Sequence, residues 1–201
     1  MTDVTTTKKQ GIAIAQLVSN NAQGAALGAV EFQSLVGDTA KHVEFFGNPA
    51  DNNAATRSNG YETVLSQYRG LEKVANWDRT QGCNKMQSII QANPVIDAVI
   101  SGNDEMALGA IAALKEAGKL DGVIVGGFDG SPDAVAAVES GEMAYTVLQP
   151  VAVFSREAVI QADYFIKNGK PMVAEEKQLF DCLLITTDNV VNYTAPFTLT
   201  Q

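Results

Sequence analysis

Short, continuous apolar runs recur along the chain at 12–18 (IAIAQLV), 42–47 (HVEFFG), 72–77 (EKVANW), 97–102 (DAVISG), 123–128 (VIVGGF), 144–149 (AYTVLQ) and 180–186 (FDCLLIT). Between most of them the pattern changes to the three- and four-residue spacing of helices, over 22–36, 53–68, 80–92, 104–117, 132–140 and 152–168. Unbroken apolar runs read as strands buried on both faces, and their alternation with helices predicts an α/β fold: a parallel sheet with helices on both faces. In 80–92, Cys83, Met86, Ile89 and Ile90 share one helix face, as do Leu108, Ile111 and Ala112 in 104–117. Both stripes are read as core.

Punctuation agrees with the pattern. Asn21, Asp104 and the pair Ser131 and Pro132 mark helix starts, and Gly118 and Gly141 mark left-handed helix ends. The glycines of GGFDGSPD (126–133) match neither a G-x-G-x-x-G nor a Walker A arrangement and are read as tight turns.

Composition narrows the function classes. With 201 residues, 46% of them hydrophobic, the chain is long enough for a substantial core. A net charge of −9 with scattered Lys and Arg argues against nucleic acid or an anionic membrane surface as partner. No apolar run reaches transmembrane length, and the start MTDVTTTKKQ lacks a signal-type apolar region, which fits a cytosolic protein or one whose leader is absent. Cys83 and Cys182 are far apart and read as plain thiols, and the lone His42 has no Cys or His cluster near it. No cofactor or metal is expected.

Candidate chemistry is sparse. No G-x-S-x-G elbow accompanies the single histidine, so a hydrolase triad is not expected. Asp104 and Asp129 fall at neighbouring strand ends, which leaves acid–base work by paired carboxylates open. Asp104 is also a helix-start residue facing the helix dipole, and Asp129 also suits a ligand carboxylate that accepts two hydroxyls. The strand-loop-helix units at 98–118 and 121–141 place Asn103 beside Asp129 at the carboxyl edge of the sheet, where open α/β folds bind small ligands.

These two units, together with NAATRSNGY (53–61), ANWDRT (75–80) and TVLQP (146–150), resemble the ribose-type sugar-binding proteins of the bacterial periplasm and the related effector cores of LacI-type repressors. The resemblance covers about 15–190. It implies Arg57, four residues before Tyr61, as a donor to sugar hydroxyls, and Trp77, the only tryptophan, as a platform for the sugar's apolar face. It further implies Asn103, Asp129 and Gln149 as polar ligands. Read alone, Arg57 is equally a helix cation, Trp77 a core aromatic and Gln149 a strand-end polar group.

The same resemblance implies a clamshell of two lobes, of which this chain is expected to hold the C-terminal one. Residues 1–20 correspond to a remnant of the N-terminal lobe, 21–149 to the C-terminal sugar-binding lobe, 150–180 to a segment returning to the N-terminal lobe, and 181–201 to a strand and tail back in the C-terminal lobe. Most of the N-terminal lobe, about a domain's worth of chain, is expected to be lacking. The inner faces of 150–180 (Val153, Ala158, Ala162, Phe165) would then lack a partner and favour self-association. The implied function is sugar or polyol binding for uptake through a membrane ABC transporter permease, in the periplasm and without catalysis. The alternative is a LacI-type effector core, which a DNA-binding headpiece in the full gene would reveal.

Overall fold

The computed structural model describes residues 13–37, 40–65, 71–93 and 95–200. In chain order the elements are β1 (Gln16–Ser19), α1 (Asn21–Val36), β2 (His42–Phe46), α2 (Asn52–Leu65), β3 (Leu71–Val74), α3 (Arg79–Ala92), β4 (Ala98–Ser101) and α4 (Asp104–Glu116). They continue with β5 (Ile124–Asp129), α5 (Pro132–Glu139), β6 (Tyr145–Leu148), α6 (Val151–Asn168), β7 (Lys177–Phe180), β8 (Leu183–Thr186) and a short hairpin, β9 (Tyr193–Thr194) and β10 (Thr198–Leu199).

Six strands form the main sheet in the order β3-β2-β4-β5-β6-β8, parallel except for the antiparallel β6–β8 pair. The expected α/β architecture is therefore present. Strand pleat sorts the core into two layers. Val43, Phe45, Val99 and Val125 pack with Met86 of α3, Met106 and Leu114 of α4 and Val138 of α5 on one face. Ala98, Ile100, Phe128, Tyr145 and Val147 pack with Phe32 of α1 and Tyr61 of α2 on the other. Within β4 the alternation is literal: Ala98 and Ile100 face α1 and α2, whereas Val99 faces α3 and α4.

Helix α1 carries Gly24 and Gly28, each costing about 1 kcal/mol relative to Ala in a helix interior. Close approach explains them. A Cβ on Gly24 would sit 2.8 Å from Cys182 Sγ, and one on Gly28 would sit 2.9 Å from Val147 Cγ2, so the glycines let α1 lie directly on the sheet. Burying Phe32 completely, a contribution of about 1.5–3 kcal/mol, outweighs either penalty.

Several local expectations need correction. The run 180–186 is not one strand: Phe180 ends β7, which pairs in parallel with β1 in a separate two-stranded ladder, and Leu183 begins β8 in the main sheet. An apolar run cannot show that its register breaks at Asp181–Cys182. The first strand lies at Gln16–Ser19 and not at 12–18, of which 12 is outside the described residues, as are 66–68 at the end of the expected second helix. Asn20, not Asn21, caps α1, accepting from Gln23 N. Ala112 is exposed, and α4 buries Met106, Ala107, Ala110, Ile111, Ala113 and Leu114 instead. Gly126 and Gly127 are strand residues, not turn residues: a Cβ on either would meet the Tyr145 ring or Asp104 Oδ1 at 2.3 Å. Gly118 and Gly141 do have positive φ after α4 and α5.

Helix α6 lies against β1 and β7, with Phe154 beside Phe180 and a reciprocal amide pair between Gln161 and Gln178. Beside the exposed charges Arg156, Asp163 and Lys167, it leaves apolar side chains open: Val153, Val159, Ile160 and Ile166 are exposed, as is Leu179 of β7. Of the inner-face residues expected to lack a partner, Val153 and Ala162 are exposed, and Ala158 and Phe165 are half-buried.

Candidate ligand-binding site

A cleft of about 430 Å³ opens at the carboxyl edge of the main sheet, lined by Asp51, Asn53, Arg57, Trp77, Asn103, Asp129, Gln149, Val151, Phe154 and Phe197. It lies where the order of strands reverses, β2 leading to β3 on one side and to β4 on the other, the place at which open α/β sheets receive ligands. All five residues singled out from the sequence line it.

Asp129 ends β5 and accepts from Arg57 Nη1 at 2.9 Å and from Gln149 Nε2 at 2.7 Å, both on Oδ1. Oδ2 has no protein donor among the described residues. Burial raises the Asp129 carboxyl above the usual carboxylate range, opposed first by the charge of Arg57 and by its hydrogen bond. Arg57 sits in the second turn of α2 and is 5% exposed, so it is no surface cation. Its Nε donates to Asn21 Oδ1 at 2.8 Å and its Nη1 also donates to Gly102 O at 2.6 Å. The guanidinium carbon lies 3.8 Å from the Phe128 ring centre and 5.4 Å from that of Trp77. Packing and bonding thus hold the fork still, leaving Nη2 without a protein acceptor among the described residues.

Trp77 follows β3 in a left-handed turn, with φ +54° at Asn76 and +65° at Trp77. Its six-membered ring covers Gly47, where a Cβ would sit 2.1 Å from the indole, and Nε1 is buried without a partner among the described residues. Trp77 is therefore both packed and part of the cleft wall. Asn103 caps α4 through Oδ1, which accepts from Met106 N at 2.9 Å, while Nδ2 donates to Trp77 O at 3.3 Å. Only one amide hydrogen of Asn103 remains for a ligand. Gln149 accepts from Ser19 Oγ at 2.7 Å and so ties the cleft to the end of β1.

Asp104 is not in the cleft. Fully buried, it accepts from Ser131 N at 2.8 Å and from Thr146 Oγ1 at 2.6 Å. Burial, and then the charge of Asp129, raise its carboxyl to about 7 against the pull of these bonds. Paired acid–base work by Asp104 and Asp129 on a shared ligand is excluded by that placement. Among the described residues no cluster of metal-ligating side chains occurs.

A family model described as the periplasmic binding protein domain matches residues 3–171. The chain belongs to that family. Its similarity to the D-apiose import binding protein of Actinobacillus succinogenes is 48% identity over 188 residues, 90% of this chain and 59% of that protein. The ribose import binding protein of Escherichia coli is 34% identical over 164 residues, 80% of this chain and 55% of that one. Among solved structures, an ABC transporter solute-binding protein from Bacillus halodurans with bound myo-inositol superposes with a TM-score of 0.81 at 31% identity, covering 89% of this chain and 62% of that chain. The chain thus spans about 60% of the length of the relatives it matches.

The sequence alone did not single out Asp51, Asn53, Val151, Phe154 or Phe197, and it marked Asn21 only as a helix start, not as the acceptor for Arg57 Nε. Asn53 sits in the first turn of α2 and shares a 3.3 Å contact with Asn21. The signal available for it was the polar doublet Asn52–Asn53 opening α2, which stands well past the end of β2 and so outside the strand-end position that marks Asn103. Phe197 arrives through the β9–β10 hairpin, held by Tyr193 Oη accepting from Phe197 N at 3.1 Å, and no local pattern announces it.

Proposed function

We propose that this chain is the sugar- or polyol-recognising part of a solute-binding protein serving uptake through an ABC transporter. The reading rests on one arrangement: a carboxylate and a guanidinium, paired and immobilised, each keep a polar atom free toward a cleft walled by Trp77 and Phe197. Paired hydroxyls of a sugar match a carboxylate acceptor beside a guanidinium donor, and its C–H face matches an aromatic wall. Relatives that carry import, sugar and polyol names support the same class. Arg57, Trp77, Asn103, Asp129 and Gln149 are the proposed ligand contacts, and binding without catalysis is the proposed activity.

The periplasm is the proposed location and a membrane permease the proposed partner. We assign 1–20 and 150–180 to one lobe, and 21–149 and 181–201 to the other. Ser19, Gln149 and Cys182 stand where the chain passes between them. The open apolar side of α6 is a surface for self-association.

The test is an NMR titration of this chain with D-apiose, D-ribose and myo-inositol, with an L-amino acid as control. Shifts at the Trp77 indole and the Arg57 side chain with a sugar or polyol, and none with the amino acid, are expected. No response to any carbohydrate, or a response to the amino acid alone, overturns the proposal.

A further inference from the structure

Asp129 adopts φ +131°, a region that L side chains rarely occupy, and yet it carries the cleft's carboxylate. The turn after it is fastened from below. Gly130 N donates to Thr146 Oγ1 at 3.2 Å, Ser131 N donates to Asp104 Oδ2 at 2.8 Å, and Thr146 Oγ1 in turn donates to Asp104 Oδ1 at 2.6 Å. Asp104 and Thr146 are both fully buried, and Gly127 leaves the space that Asp104 Oδ1 fills. Neither side chain touches the cleft.

We propose that Asp104 and Thr146 act as one positioning device, holding the 129–131 turn in its strained conformation so that the Asp129 carboxylate is aimed at the ligand. Two buried acceptors on the device take the N–H groups of the two residues that follow Asp129. Without them, the turn would relax to an ordinary φ and swing the carboxylate away from Arg57. Thr146 is suited to the task because one hydroxyl both accepts from Gly130 and donates to Asp104. The four-residue link crosses from β6 to the β4–α4 junction, so the aim of the carboxylate is set by three strands and not by its own loop. The inference deepens the sugar-binding reading and rests on it for its functional consequence, though not for its structural one.

The experiment has two arms on the full 201-residue chain. The first needs no ligand. Glycine tolerates positive φ and alanine does not, so Asp129→Gly should melt higher than Asp129→Ala while the turn is held. In a Thr146→Val background that difference should shrink by at least half, and an undiminished difference overturns the proposal. The second arm reads carbohydrate affinity by NMR titration with D-apiose, D-ribose and myo-inositol. Thr146→Val should weaken whichever binds by about ten-fold or more, and Thr146→Ser, which keeps the hydroxyl, should return it to within about three-fold of the parent. Equal affinity in Thr146→Val and the parent also overturns it. If no carbohydrate binds the parent, the functional reading fails while the melting arm still decides the positioning role. Should Thr146→Val not fold, Asp104→Asn carries both arms, because its amide offers a donor where two donors already point.

Discussion

Arg57 and Asp129 are joined at 2.9 Å, with the arginine side chain 6% exposed and the aspartate 28% exposed. The pair is asymmetric: the cation is enclosed by Phe128, Asn21 and Gly102, and the anion looks out. Removing Arg57 therefore leaves the carboxylate with Gln149 as its donor and takes the guanidinium from the Gly102 carbonyl. Arg57→Ala is expected to lower unfolding free energy by about 3–5 kcal/mol in urea denaturation, the range for a broken buried pair. A loss under about 1 kcal/mol would show the pair to be energetically idle.

Asp129→Ala should cost about 2–4 kcal/mol of carbohydrate affinity, since charge-assisted hydrogen bonds are the strong ones. Unchanged binding in calorimetric or NMR titration would remove Asp129 from the ligand contacts. Affinity of the parent is itself expected to be weak, with a dissociation constant near or above ~1 mM, because the described cleft is lined only from the sheet edge with the start of α2, the first turn of α6 and the C-terminal hairpin.

Trp77 is the only tryptophan, so its emission reports on the cleft alone. A bound sugar should shift or quench it. Gly47→Ala gives a ligand-free check: the added methyl would overlap the indole and push it toward water, moving emission to longer wavelength. An unmoved spectrum in that variant would mean that the ring does not rest on Gly47.

Much of this was legible in the chain. The alternation of apolar runs and helices defines the layers, and Asn103, Asp129 and Gln149 are visible because a polar residue directly follows an apolar strand. Arg57 was found by resemblance, and its burial was not visible: a lone arginine in a polar helix gives no local sign that Phe128, far along the chain, lies under it. Asn21 and Asn20 form a doublet whose members differ only in direction, one capping α1 and the other turned toward Arg57, a distinction made by tertiary contacts. The break at Asp181–Cys182 was hidden because both halves of 180–186 are strand-like.

Asp104 makes stability depend on pH in a definite sense. Its carboxyl is raised from an ordinary 3.8 to about 7 in the folded chain, so the stability it contributes is fully present below pH 4 and is lost as pH rises through 7. Denaturation at pH 5 and pH 8 should show a steeper fall in the parent than in Asp104→Asn. Parallel slopes would place the titration elsewhere.

The apolar side of α6 predicts concentration-dependent mass in light scattering. Val159→Lys with Ile166→Glu, at positions 71% and 81% exposed, should lower it without altering the melting temperature. A monomer at all concentrations would leave that surface without consequence for assembly.

The three places where the chain steps between the β1–β7 ladder and the main sheet are stitched to one another: Asn20 N to Phe180 O, Asn20 Nδ2 to Asp181 Oδ1, Cys182 N to Gln23 Oε1, and Ser19 Oγ to Gln149 Oε1. Each step is only one or two residues long, so none has slack. Loop-length variation between descendants of this chain should therefore be barred there and collect at the opposite end of the sheet, around 118–123, where an atom added at Gly118 or Gly122 would meet nothing within 4 Å. An insertion library scored for folding would map that contrast directly, with the crossovers as blank columns.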